Sequence, residues 1–275
     1  MSLTLAPDCL IPDMPRAFLA RRLMLVVEYN GTGYAGSQRQ AAEPSIQSCL
    51  EEALSRLTGS EVTISLAGRT DTGVHARGQV ISFLTDSELP IRAFVHGLNH
   101  HLPADIAVIS AKVVDNGFDP RRQALKREYE YLMLNRETRS PLWQNLAYHL
   151  PGTLDIELMN EAAALMVGEH DFASFATGLD NDSKSTVRHI YEARFRREGD
   201  IIAFRIVGSA FLPHQVRSTV GTLIRVGQGK ISTAHFKSIL DASQPGLAGP
   251  TVPACGLYLN KVLYNTNNEE EYENI

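Results

Sequence analysis

Residues 62–84 read VTISLAGRTDTGVHARGQVISFL, and the ends of this stretch differ in pattern from its middle. Val62 to Ala67 reads as a strand. In Gln79 to Leu84, Val80, Ser82 and Leu84 alternate with Ile81 and Phe83, the two-residue repeat of another strand. Between them GRTDTGVHARG has the glycines of a loop, so a glycine-rich connection joins two strands.

Working outward, RLMLVVEY (Arg22 to Tyr29) is rich in β-forming residues and gives a preceding strand. Ser45 can cap a helix whose apolar positions Ile46, Cys49, Leu50, Ala53, Leu54 and Leu57 recur at three-to-four spacing until Gly59 ends it. On the far side, Pro90 opens a helix through His100, and Asp105 to Val114 returns as a strand. The order is β-α-β-β-α-β, the split βαβ unit. It then recurs: a strand at Arg127 to Leu134, a helix at Asp155 to Val167, strands at Val187 to Arg196 and Ile201 to Val207 joined by REGD, a helix at Pro213 to Val226, and a last strand at Leu257 to Tyr264. Two similar halves are expected, 21–118 and 119–265, built as two packed sheets or one continuous sheet with a cleft where they meet. Residues 1–20 and the acidic 266–275 lack periodicity and read as an arm and a tail.

The chain has 275 residues, 44% hydrophobic and 21% charged, which is a globular composition. No stretch approaches the roughly 20 apolar residues of a membrane span, and Asp8, Asp13 and several prolines stand where a signal peptide needs an apolar run, so a cytoplasmic protein without membrane contact is expected. Cys9, Cys49 and Cys255 lie far apart and read as free thiols, and His100, His101, His170 and His189 lack ligand spacing, so no metal is expected. A net charge of −5 runs against a nucleic-acid partner, but the charge is uneven. Arg121, Arg122, Lys126 and Arg127 form one basic run and Arg194, Arg196 and Arg197 another; the second reads as a solvated face, and the first divides evenly between that and a phosphate contact.

Chemistry concentrates in the loop 67–78, with Arg69, Asp71, His75 and Arg77 among three glycines. Glycines allow close approach to a ligand, arginines pair with phosphate, and an Asp beside Arg69 can serve as nucleophile or base. An Asp-Thr-Gly turn in which Asp71 bonds only backbone accounts for the composition equally well. Tyr129, Tyr131 and Met133 share one strand face, which could stack a base or lie in the core. In FLPHQVRSTVG (211–221), His214 and Arg217 share a helix face near its N-terminus, where Arg217 could meet an anion or hold Asp71 by an ion pair; a solvated Arg is the plainer account.

Taken together, AGRTDTGVHARGQV, LNHHLPADIAV, REYEYLMLN, DFASF, FLPHQVRSTVGTLIRVGQGK and PACGLYL resemble, in order and across most of the chain, the tRNA pseudouridine synthase A family. The resemblance implies an α+β fold: two ferredoxin-like halves forming a mixed, mainly antiparallel sheet flanked by helices, with a central cleft. It implies a homodimer acting on tRNA, not DNA, without cofactor or metal, and isomerising uridines at positions 38–40 of the anticodon stem-loop. By the same resemblance Asp71 is the catalytic carboxylate, Arg69 helps to displace and replace the flipped base, Tyr129 is the active-site tyrosine and Arg217 pairs with Asp71. His75, Arg77, Arg121 and Lys126 are expected as further substrate contacts. One departure is Gly36-Ser37-Gln38 where many relatives read GWQ. Two other readings fit the pattern less well: a non-catalytic RNA-binding module, whose aromatic signature is missing, and a hydrolase or phosphotransferase, whose second carboxylate or metal cluster is missing.

Overall fold

A computed structural model describes residues 20–41, 43–178 and 185–265. The expected tail lies outside these residues, as does the expected arm apart from Ala20.

In the first half β1 (Arg21–Tyr29) lies between β3 (His75–Thr85) and β4 (Ile106–Val114), antiparallel to both, and the short β2 (Ser65–Leu66) pairs with β3. In the second, β5 (Ala124–Leu134) lies between β9 (Ile201–Gly208) and β10 (Leu257–Tyr264), again antiparallel. Beyond β9 come β8 (Val187–Glu198) and β7 (Gly168–Asp171), and β6 (Tyr148–His149) runs parallel to the end of β5. The halves join where β10 pairs parallel with β3, Tyr258 opposite His75 and Leu259 opposite Ala76. Of the two expected arrangements the continuous sheet is observed, in the order β4-β1-β3-β10-β5-β9-β8-β7. Gly78 permits the join, because a Cβ there would sit 2.4 Å from the Asn260 carbonyl oxygen.

Among the described residues five helices flank the sheet: α1 (Ile46–Thr58), α2 (Ile91–His101), α3 (Ile156–Ala164), α4 (Gln215–Gly227) and α5 (Thr233–Ala242). Helix α1 begins and ends as its sequence dictates: Ser45 accepts the Ser48 amide N–H at 3.1 Å, and Gly59 closes it at φ +75°. Leu23, Leu25 and Val27 of β1 pack with Leu50, Leu54, Phe94 and Leu98 in a core that continues into the second half through Tyr131, Met133, Phe204, Val220 and Leu223. The alternate β5 residues Leu132 and Leu134 join a smaller cluster with Ala147, Ala203 and Tyr258.

The strand expected from Gln79 begins four residues earlier, because pairing with β10 and β1 draws His75–Gly78 into the ladder despite the glycine. The strand expected over 62–67 shrinks to β2, and the helix expected to reach Val167 stops at Ala164.

Candidate active site

The loop before β3 is bolted in place by groups outside it. The Thr70 amide N–H donates to Ser37 Oγ at 2.8 Å, the Ser37 amide N–H to the Thr70 carbonyl at 3.1 Å, and the Thr70 hydroxyl pairs with the Tyr29 hydroxyl at 2.9 Å. Gln79 Nε2 donates to the Gly68 carbonyl at 2.9 Å. Ser37 is wholly buried, so at the position where the resemblance leads one to expect Trp, a small hydroxyl fastens the residue next to Asp71.

The turn closes through backbone, the Val74 N–H donating to the Asp71 carbonyl, and leaves the carboxylate to other partners. Arg217 Nη1 donates to Asp71 Oδ2 at 2.9 Å, while Arg217 Nε donates to the Val252 carbonyl at 2.9 Å and so fixes the guanidinium. His214 Nε2 lies 3.4 Å from the same Oδ2.

These groups line a cavity of about 410 Å³ that draws on both halves: Gly68, Arg69 and Asp71 from one side, Tyr129 from β5, and Phe211 to Arg217 from the other. Tyr129 is nearly buried, edge-on to Phe211 with ring centroids 5.2 Å apart, and burial first, then the neighbouring Tyr29, raises its phenol far above the ordinary value. Its aromatic neighbour Tyr131 is core, donating to the Pro253 carbonyl at 2.7 Å.

Of the expected site residues, the cavity brings together Asp71, Arg69, Tyr129, Arg121 and Arg217. His75 lies elsewhere. It is buried and stacked on Tyr258 at 4.6 Å; Nδ1 accepts the Gly31 N–H at 3.1 Å and Nε2 lies 3.2 Å from the Cys255 carbonyl. Arg77 is ion-paired to Glu130 at 2.6 Å over the Tyr258 ring, and Lys126 sits over the Tyr191 ring at 4.4 Å. Neither lines the cavity.

Two arginines not singled out from the sequence as site residues do line it. Arg127 spends its guanidinium on the carbonyls of Ser209 at 2.8 Å, Arg121 at 2.7 Å and Ala67 at 3.2 Å, tying loop to loop. Arg188, at the start of β8, donates to the carbonyls of Ser185 and Val187, and its Nε is buried without a partner. Burial lowers the pKa of both guanidiniums from the ordinary value. Among the described residues the cavity is lined by five arginines and one carboxylate, that of Asp71, which suits a polyanion.

A family model described as tRNA pseudouridine synthase matches residues 25–121 and 162–265. The chain belongs to that family. The family isomerises uridine to pseudouridine in tRNA. The tRNA pseudouridine synthase A of Myxococcus xanthus is 44% identical over 244 residues, covering 88% of this chain and 92% of that protein. That of Geobacter sp. (strain M21) is 45% identical over 245 residues, covering 89% and 99%, and that of Francisella tularensis subsp. novicida is 40% identical over 244 residues, covering 89% and 94%. In this family member Asp71, His214 and Arg217 fall inside the matched stretches, whereas Lys126 and Tyr129 fall between them.

Proposed function

We propose that the chain converts uridines at positions 38–40 of the tRNA anticodon stem-loop to pseudouridine, with Asp71 as the catalytic carboxylate. The observation that carries this reading is the Asp71 carboxylate held by Arg217 in a cationic cavity of a chain from this family.

The reaction breaks the C1′–N1 bond, turns the freed uracil, joins C1′ to C5, and loses the C5 proton while N1 gains one from solvent, so it is an isomerisation and consumes no second substrate. The target nucleotide must leave its stack at a cost of a few kcal/mol. Arg69 is exposed at the cavity and has no hydrogen-bond partner among the described residues, which suits it to fill the vacated place. Asp71 acts on the sugar or base as a nucleophile, or removes a sugar proton as a base. Tyr129 packs beside the base, and its hydroxyl, kept protonated by burial, relays the C5 proton, taking it on oxygen as it releases its own to solvent. Arg121 and Arg188 meet backbone phosphates.

The chain acts as a cytoplasmic homodimer, with 21–118 and 119–265 as its two ferredoxin-like halves. Sedimentation velocity checks the dimer. Among the described residues no helix is long and apolar enough to cross a membrane.

The deciding experiment incubates the protein and Asp71→Ala with unmodified tRNA and maps pseudouridine by carbodiimide-blocked primer extension. Modification of the anticodon arm by the wild type alone is expected. Tight binding by the wild type with every uridine unchanged overturns the reading in favour of a binding module.

A further inference from the structure

His214 stands out by its backbone. It precedes α4 at φ +59°, ψ 0°, the left-handed region, and its side chain makes no capping hydrogen bond to that helix. A non-glycine residue is held there only when its surroundings require it. The ring shows what they require: Nδ1 is hydrogen-bonded to the Thr177 hydroxyl, and Nε2 lies 3.4 Å from Asp71 Oδ2.

Facing a carboxylate is favourable only for a nitrogen that carries a proton, so Nε2 is protonated whether the ring is neutral or charged. In the neutral ring Nδ1 is then the acceptor and the Thr177 hydroxyl donates to it. Thr177 is itself placed by two ties. Its amide N–H donates to the Pro213 carbonyl at 3.4 Å, and it follows a turn, Ala173–Phe175, whose Ser174 and Phe175 are buried. Ser174 is fixed in turn by donors from beyond α5, the amide N–H groups of Gln244 and Ala248. The DFASF segment thus becomes the strut that sets the ring.

Two side chains converge on one oxygen of Asp71. Arg217 and His214 each meet Oδ2, and among the described residues no hydrogen bond reaches Oδ1. We propose that His214, set by Thr177, is a positioning residue that with Arg217 occupies Oδ2 and so presents Oδ1 to the uridine. This rests on Asp71 acting in catalysis, and the wild-type and Asp71→Ala reactions test that separately.

The test uses His214→Gly, because glycine adopts this φ readily and the chain keeps its path, and His214→Asn, which tolerates the left-handed region. In single-turnover assays on tRNA, misplacing a reacting group costs on the order of ten- to a hundredfold. His214→Gly is expected to lose that much kcat with KM for tRNA and the melting temperature unchanged, and Thr177→Val to lose less in the same direction. His214→Asn, which can still donate a hydrogen bond, recovers part of the loss. A His214→Gly kcat within twofold of wild type overturns the proposal. So does a loss confined to KM, which makes His214 an RNA contact, or a loss matched in both variants by a loss of folded protein.

Discussion

Arg217 and Asp71 meet at 2.9 Å although 146 residues separate them in the chain, and the guanidinium that reaches Asp71 is itself pinned to the Val252 carbonyl. The pair therefore bridges the loop 67–78 of one half and the helix α4 of the other. Arg217→Ala is expected to lower kcat at least about a hundredfold, since a carboxylate loses its fixed position, while tRNA affinity changes less than fivefold. Single-turnover kinetics and filter binding read the two separately. Lost binding with unchanged turnover would contradict the assignment.

Ser37 holds the same loop from the other side. Removing its hydroxyl leaves the buried Thr70 amide N–H without a partner, a cost of about 1–3 kcal/mol. Ser37→Ala is expected to lower the urea midpoint by a corresponding amount and to slow turnover severalfold through the displaced Asp71. An unchanged midpoint would mean that water reaches Thr70.

These relations divide into what a linear reading can reach and what it cannot. Helix α1 was legible with both caps because all its determinants are local, and so was β10, whose observed bounds, Leu257–Tyr264, are those read from sequence. Asp71, Tyr129 and Arg217, named together through the family resemblance, line one cavity. The β3–β10 join was not, because two parallel residue pairs between strands far apart in sequence leave no periodic trace. Strands β6 and β7, of two and four residues, are too short for a period. Helix α5 was missed although the signal was present: Ser232 caps it, and buried Phe236, Ile239 and Leu240 recur at three-to-four spacing. Arg127 and Arg188 reach the cavity through pairings that only the fold creates.

His75 makes a prediction about pH. Burial first of all holds its pKa below the ordinary value of 6.5, so the unfolded chain takes up a proton at a higher pH than the folded one. Its contribution to stability is then full above about pH 6.5 and is lost as pH falls through the folded value. Denaturation midpoints at about pH 7.5 and pH 5 should fall with acid, and His75→Gln should flatten that fall. An equal slope in the variant would place the acid sensitivity in other groups.

Arg188 carries the last prediction. Its guanidinium lines the cavity, its Nε is buried without a hydrogen-bond partner, and no carboxylate pairs with it among the described residues. Burial of this guanidinium is offset only by the more distant charge of Asp171, with which it forms no ion pair, and a backbone phosphate of the flipped nucleotide would supply a closer charge and an acceptor. Arg188→Ala should therefore raise KM for tRNA about tenfold with kcat little changed, and reduce the slope of log binding constant against log salt by about 0.7–0.9, the share of one phosphate contact. Arg188→Lys keeps the charge but not the fork and should restore the salt slope with only part of the affinity. If Arg188→Ala leaves the salt slope as it was, the arginine braces the start of β8 and touches no phosphate.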